Sequence, residues 1–234
     1  MNLDFDRGNQ FQVPYAWGTT GLCYRSDLVS GTPSSWNDLL EPNDDIKGKI
    51  TMLSTDRWLL AAGLLSLGYS VNETDPAKLN EAKEKLISAK KNLLAYDDTV
   101  FYTKLVSGEA AMAHAWDGWC NYATWENPDV KFVVPSEGSD LWVDTMVIMK
   151  ASANKDEAHA FINYILDPAI STWTVENIMY KVPNVAAMTA TSGMFEQFPN
   201  LGMSINELSQ NETMKDVGSA AKLYAKTVSE ILAD

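Results

Sequence analysis

Apolar residues recur along this chain with two different periods, and the alternation between those periods predicts an α/β fold. Residues 11–25, FQVPYAWGTTGLCYR, alternate apolar with small or polar positions as strands do, with breaks expected at Gly18 and Gly21. SSWNDLL (34–40) reads as a short helix capped by Ser34 or Ser35. KGKITML (47–53) reads as a turn running into a strand. The run RWLLAAGLLSL (57–67) predicts an apolar helix ended by Gly68. Asp75-Pro76 opens an amphipathic helix to about Asn92, proline being suited to a first turn. A helix over 99–107, a strand over 109–115 and a helix over 117–126 follow, then strands over 130–135 and 142–149. Helices over 156–166, 168–177 and 216–232 complete the pattern. Strands alternating with helices indicate an α/β architecture with at least part of the sheet parallel. Ligands of such sheets bind beyond the carboxyl ends of the strands, where Trp116 falls.

Composition narrows the function classes. The 234 residues are 46% hydrophobic and 21% charged, ordinary for a globular protein with a sizeable core. A formal net charge of −13 argues against nucleic acid, whose binders carry basic patches, and agrees with a cationic ligand. Cys23 and Cys120 have neither CxxC nor metal-ligand spacing. Two free buried thiols are the expectation, with a long-range disulfide as the alternative. No run of 18 apolar residues is present. The acidic, polar start MNLDFDRGNQFQ lacks the pattern of a signal peptide. A cytosolic location or a missing targeting segment would each account for that.

Candidate chemistry concentrates in two tryptophan/aspartate clusters. In SDLWVDTMVIMK, Trp142 and Asp144 stand at i and i+2 of an expected strand and so share a face. A π-surface beside a carboxylate suits an organic cation: the ring attracts an alkylammonium and the carboxylate takes its N–H donors. The second cluster is Ala115-Trp116-Asp117-Gly118-Trp119, where Asp117 reads equally well as a helix N-cap. Eight Trp and nine Tyr are many for this length. His114, in an apolar strand, and His159, in an amphipathic helix, read as structural. The chain lacks GxSxG, HExxH and a glycine-rich phosphate loop. A carboxylate-pair glycosidase is the remaining enzymatic alternative; no catalytic residue, metal or cofactor is expected.

VPYAWGTTGLCYRSD (13–27), SSWNDLLEP, KGKITML, LGYSVNETDP (67–76), SGEAAMAHAWDG (107–118), LWVDTMVIMKASANKDEAHAFINYILDP (141–168) and ENIMYKVPNVAA (176–187) occur in order along the chain. Together they resemble the spermidine/putrescine-binding proteins of bacterial ABC importers. The resemblance implies a type II periplasmic-binding-protein-like fold, a mixed sheet flanked by helices in each of two lobes, with the polyamine in the interlobe cleft. Residues 18–141 with 191–234 would form the second lobe, and residues 1–17 with 142–190 the remainder of the first. Members of that family normally carry about a hundred residues ahead of the VPYxWG segment, so one complete lobe and part of the other are expected, with self-association through uncovered apolar surface. The resemblance also implies a periplasmic or extracellular-face location and a membrane permease as partner.

By the same resemblance, Trp116 packs on the polyamine's methylenes, Trp142 lines the cleft, Asp144 binds an ammonium, and Tyr180 is a cleft aromatic. The sequence departs from the family at Thr55-Asp56-Arg57-Trp58, where an Asp-x-x-Glu pair is usual. Asp56 keeps one carboxylate and Trp58 replaces the other. Met214 stands where spermidine binders carry a glutamine. These departures imply a shorter or less charged amine, or another solute such as ferric iron, thiamine or a phosphonate.

Overall fold

The computed structural model describes residues 6–204, 207–208 and 210–233. Those parts of the expected lobes that fall on residues 1–5, 205–206, 209 and 234 lie outside the described residues. The chain divides into two compact units. Unit 1 comprises Met1–Gly18 with Trp142–Met203, and unit 2 comprises Thr19–Leu141 with Ser204–Asp234. Segment 191–203 groups with unit 1, where the sequence reading puts it in the second lobe.

Unit 2 is built on a five-stranded mixed sheet. In chain order its elements are β2 (Thr20–Arg25), α1 (Trp36–Leu40), β3 (Ile50–Met52), α2 (Asp56–Ser66), α3 (Pro76–Lys90), β4 (Leu93–Tyr96), α4 (Phe101–Ser107), β5 (Met112–Trp116), α5 (Asp117–Glu126) and β6 (Val130–Val133). The sheet order is β4-β3-β5-β2-β6. Parallel pairing joins β3 to β4 and β5, and antiparallel pairing joins β2 to β5 and β6. After the chain returns from unit 1, β8 (Glu212–Thr213) pairs with Asp140–Leu141 and α10 (Ala221–Ala233) closes the unit.

The period-two pattern of these strands serves two cores. Leu22, Tyr24, Ile50, Met52 and Met112 enter one cluster with residues of α1, α2, α3 and α10. Cys23, Ala113 and Ala115 enter the other with residues of α4 and α5. Helix ends follow local chemistry. Ser35 forms a capping box with Asp38, and Asp75 caps α3 with Pro76 in its first turn. Gly68 sits at φ +75° just beyond α2.

Two sequence expectations are corrected in this unit. Cys23 and Cys120 are joined as a disulfide that ties β2 to α5. Their distance in sequence concealed the pairing, which arises because α5 packs on the face of the sheet to which Cys23 of β2 points. Gly21 does not break a strand. It lies within β2, and a Cβ there would stand 2.5 Å from the Val133 carbonyl oxygen and 2.7 Å from the Phe132 ring. The glycine is needed for close approach of β6, and the break falls at Thr19 instead. β4 is a strand the pattern missed, because LLAY does not alternate cleanly.

Unit 1 contains β1 (Val13–Gly18), the Trp142–Met146 part of β7 (Asp140–Met146), α6 (Lys155–Ile165), α7 (Pro168–Ile178), α8 (Val185–Ala190) and α9 (Pro199–Gly202). β1 and β7 pair antiparallel, with Ala16 opposite Asp144 and Gly18 opposite Trp142. Of the α6 side chains only Ile162 is buried. Phe161 and Tyr164 on the same helix and Trp173 on α7 are exposed. Among the described residues no helix is long and apolar enough to cross a membrane.

Candidate functional site

On the β1–β7 ribbon of unit 1, directly opposed residues of antiparallel strands point to one face. Trp142 and Asp144 therefore share a face with Gly18 and Ala16, the smallest residues available. Asp144 is exposed on the whole, and among the described residues its side chain makes no hydrogen bond or ion pair. Partial burial of its carboxyl nevertheless raises its pKa.

Tyr180 completes this cluster. α7 ends in buried Met179 at φ +58°, a left-handed conformation uncommon outside glycine. The turn brings Tyr180 edge-on to Trp142, with centroids 5.0 Å apart and planes at 83°. The next residue, Lys181, is buried with its ammonium 5.0 Å from the centre of the Trp17 ring, while Trp17 donates its backbone N–H to the Lys181 carbonyl. The predicted trio Trp142, Asp144 and Tyr180 is thus assembled within one unit.

The other predicted residues lie in unit 2. Trp116 ends β5, where it pairs with Thr20 of β2, and Trp58 meets it edge-on at 5.6 Å and 77°. Trp58 donates its indole N–H to Asp140 Oδ2 at 3.1 Å. Asp56 stands in the first turn of α2, where a carboxylate complements the helix dipole. Among the described residues its side chain makes no hydrogen bond or ion pair, and as an i, i+2 neighbour it does not share a helix face with Trp58. Asp117 is fully buried in the first turn of α5, and its carboxylate accepts the Gly118 N–H at 3.1 Å. The N-cap position belongs to Trp116, so Asp117 lies one residue inside it.

Asp140 is the residue that sequence reasoning missed. It is fully buried, and burial pushes its pKa up against the opposing hydrogen bonds from Thr20 and Trp58. A signal was present: Asp140, Trp142 and Asp144 follow the same period of two in SDLWVD. His114 is also fully buried. It stands edge-on to Trp36 at 5.0 Å, and neither ring nitrogen has a partner. Burial takes its pKa down to about 3, so the ring is neutral. Among the described residues no group of three or more His, Cys, Asp or Glu is placed to hold a metal ion. Chemically, unit 1 offers an aromatic pair beside a carboxylate and unit 2 an aromatic pair, groups that attract organic cations.

The profile of the bacterial extracellular solute-binding protein family matches residues 4–201. The chain is 31% identical over 225 residues to the spermidine/putrescine-binding periplasmic protein of Salmonella typhimurium, covering 96% of this chain and 64% of the relative. It is 29% identical over 230 residues to the putrescine/cadaverine-binding protein of Pseudomonas aeruginosa, covering 94% and 65% respectively. The chain therefore spans just under two thirds of the length of these curated relatives. The crystal structure of the spermidine/putrescine ABC transporter substrate-binding protein of Streptococcus pneumoniae matches with a TM-score of 0.83 at 30% identity, over 100% of this chain and 72% of that one. The fold is the expected periplasmic-binding-protein type, and these relatives are binding proteins rather than enzymes. The chain belongs to the bacterial extracellular solute-binding protein family.

Proposed function

We propose that this chain serves an ABC importer as its extracytoplasmic solute-binding component and that its ligand is a polyamine of the putrescine/spermidine class. The observation that carries this reading is the matched chemistry of the two clusters. Unit 1 supplies Trp142 with Tyr180 and the carboxylate of Asp144; unit 2 supplies the Trp58–Trp116 pair, to which this reading adds Asp56 of the same helix as Trp58 as the second carboxylate. A polyamine has the complementary plan, an ammonium at each end and methylenes between. Asp144 and Asp56 would take the ends, while the aromatic pairs would cover the chain and add cation–π attraction of roughly 0.5–2 kcal/mol per contact. Asp117, engaged by its own helix, would orient the turn after Trp116 and leave ligand contact to its neighbours.

In this reading unit 2 is the second lobe of the binding protein, unit 1 contributes to the first, and the amine lies in the cleft between the lobes. Hinge motion closes the cleft, and a membrane permease recognises the closed form. A location in the periplasm or on the outer face of the membrane agrees with the names of the relatives and with the disulfide, which persists in oxidising compartments. Isothermal titration with putrescine, cadaverine and spermidine tests the proposal. Binding of at least one amine is expected, and Trp142→Ala and Asp144→Asn should each weaken it about tenfold or more, the loss of ~1.4 kcal/mol. Unchanged affinity in both variants would refute the assignment. Light scattering at the same concentrations tests self-association through the exposed Phe161, Tyr164 and Trp173.

A further inference from the structure

The two oxygens of the buried Asp140 carboxylate are directed at different parts of unit 2. Oδ1 accepts the Thr20 backbone N–H at 3.3 Å, the Thr20 hydroxyl, and the Ser139 hydroxyl at 3.2 Å. Oδ2 accepts the Trp58 indole N–H at 3.1 Å. The Asp140 backbone carbonyl accepts the Thr19 hydroxyl at 2.6 Å and the Asn211 amide at 3.3 Å. Asn211 also donates to the Thr19 hydroxyl at 2.8 Å and accepts the Ser139 N–H at 2.9 Å. Thr19, Asp140 and Asn211 belong to the three segments that enter or leave unit 2 where the chain passes to unit 1. The carboxylate therefore joins two of these segments, at Thr20 and at its own neighbour Ser139, to the indole that forms a corner with Trp116, while Asn211 of the third meets only the Asp140 backbone carbonyl.

We propose that Asp140 is a positioning residue: its carboxylate fixes the Trp58–Trp116 corner and couples that corner to Thr20 and Ser139, on two of the segments linking the two units. The inference rests on the reading that this corner contacts the amine. The physical case is one of hydrogen-bond supply. An indole N–H only donates, and among the described residues Trp58 has no other acceptor, so without Asp140 its ring loses the bond that sets its orientation. Four donors converge on the carboxylate, which repays burial of the charge only while all are present. Asparagine can turn its oxygen to Trp58 and its amide to the Thr20 and Ser139 hydroxyls, which can accept; alanine can do neither.

The test combines binding with a direct probe of the indole. Titration with putrescine should show Asp140→Ala weakened about tenfold, which corresponds to ~1.4 kcal/mol, and Asp140→Asn weakened less. In a Trp58→Phe background, Asp140→Ala should cause little further loss, because Asp140 acts through that indole. Full additivity of the two losses overturns the proposal. Should Asp140→Ala fail to fold, the wild-type protein still decides. The Trp58 indole proton, assigned by its disappearance from the NMR spectrum of Trp58→Phe, should exchange with solvent far more slowly than that of exposed Trp125. Equal exchange rates overturn the positioning role. If the wild-type protein bound none of the amines, the functional reading would fall by itself, and the exchange measurement would still settle whether Asp140 positions Trp58.

Discussion

Replacing His114 by phenylalanine should make the protein more resistant to acid, and the structure supplies the magnitude. The imidazole is fully buried between Trp36 and the β2 neighbour Leu22, and both of its nitrogens lack partners. Its pKa is taken down to about 3 by burial, against about 6.5 for an unfolded histidine. Above pH 6.5 the ring is neutral in both states and titration contributes nothing. As the pH falls from 6.5 towards 3, the unfolded chain takes up a proton that the native chain refuses, and stability is lost. At pH 5.0 that uptake stabilises the unfolded state by about 2 kcal/mol, and at pH 7.5 by about 0.1 kcal/mol.

Phenylalanine keeps the edge contact with Trp36 and removes the unpaired nitrogens, each of which costs about 1–3 kcal/mol when buried. Its larger ring introduces overpacking of similar size, so the variant's stability at neutral pH is set by two opposing effects. The pH dependence is free of that cancellation. Urea unfolding of wild type and His114→Phe at pH 7.5 and 5.0 should show the variant gaining about 2 kcal/mol relative to wild type on acidification. The carboxylates common to both proteins cancel in the comparison. A difference between the two proteins that stays constant across this range would refute the reasoning, since it would mean that native His114 titrates as the unfolded residue does.

The Cys23–Cys120 disulfide closes a loop with a sequence separation of 97, so reduction or a Cys23→Ser/Cys120→Ser pair should lower stability by about 2–4 kcal/mol. An unchanged urea midpoint under reductant would contradict that. Gly21→Ala should cost about 1–3 kcal/mol, because the added carbon meets the Val133 carbonyl, a backbone atom that cannot move without shifting β6; a thermal melt matching wild type would be incompatible with the β2–β6 packing. Asp144 has a raised pKa, and under the proposed function it would bind amine only when ionised, so amine affinity should begin to fall at a higher pH than an ordinary aspartate would dictate. Titration calorimetry over an acidic pH series checks this, and a loss confined to the ordinary aspartate range would exclude Asp144 as the anchor.

Much of the fold was legible because it is encoded locally. Alternation in TGLCYR places Leu22 and Tyr24 in one core and Cys23 in the other, and Asp75-Pro76 and Gly68 mark their helix ends by backbone chemistry alone. The same period of two placed Trp142 and Asp144 on one face, and the strand register agrees. What the chain could not disclose are the meetings between residues distant along it. The disulfide, the Trp58–Trp116 corner and the turn at Met179 that sets Tyr180 against Trp142 each depend on how separate elements pack. Asp140 illustrates the division best. Its sequence neighbourhood supplies only an acidic residue in a strand, and whether that residue is a ligand anchor or an internal strut depends on burial and donors. Tertiary structure delivered four donors from Thr20, Ser139 and Trp58 to its carboxylate and left Asp144, two strand positions beyond Trp142, with none among the described residues. Local periodicity determines which way a side chain points; only the packed chain decides what it meets there, because desolvation and hydrogen-bond pairing depend on atoms far away in sequence.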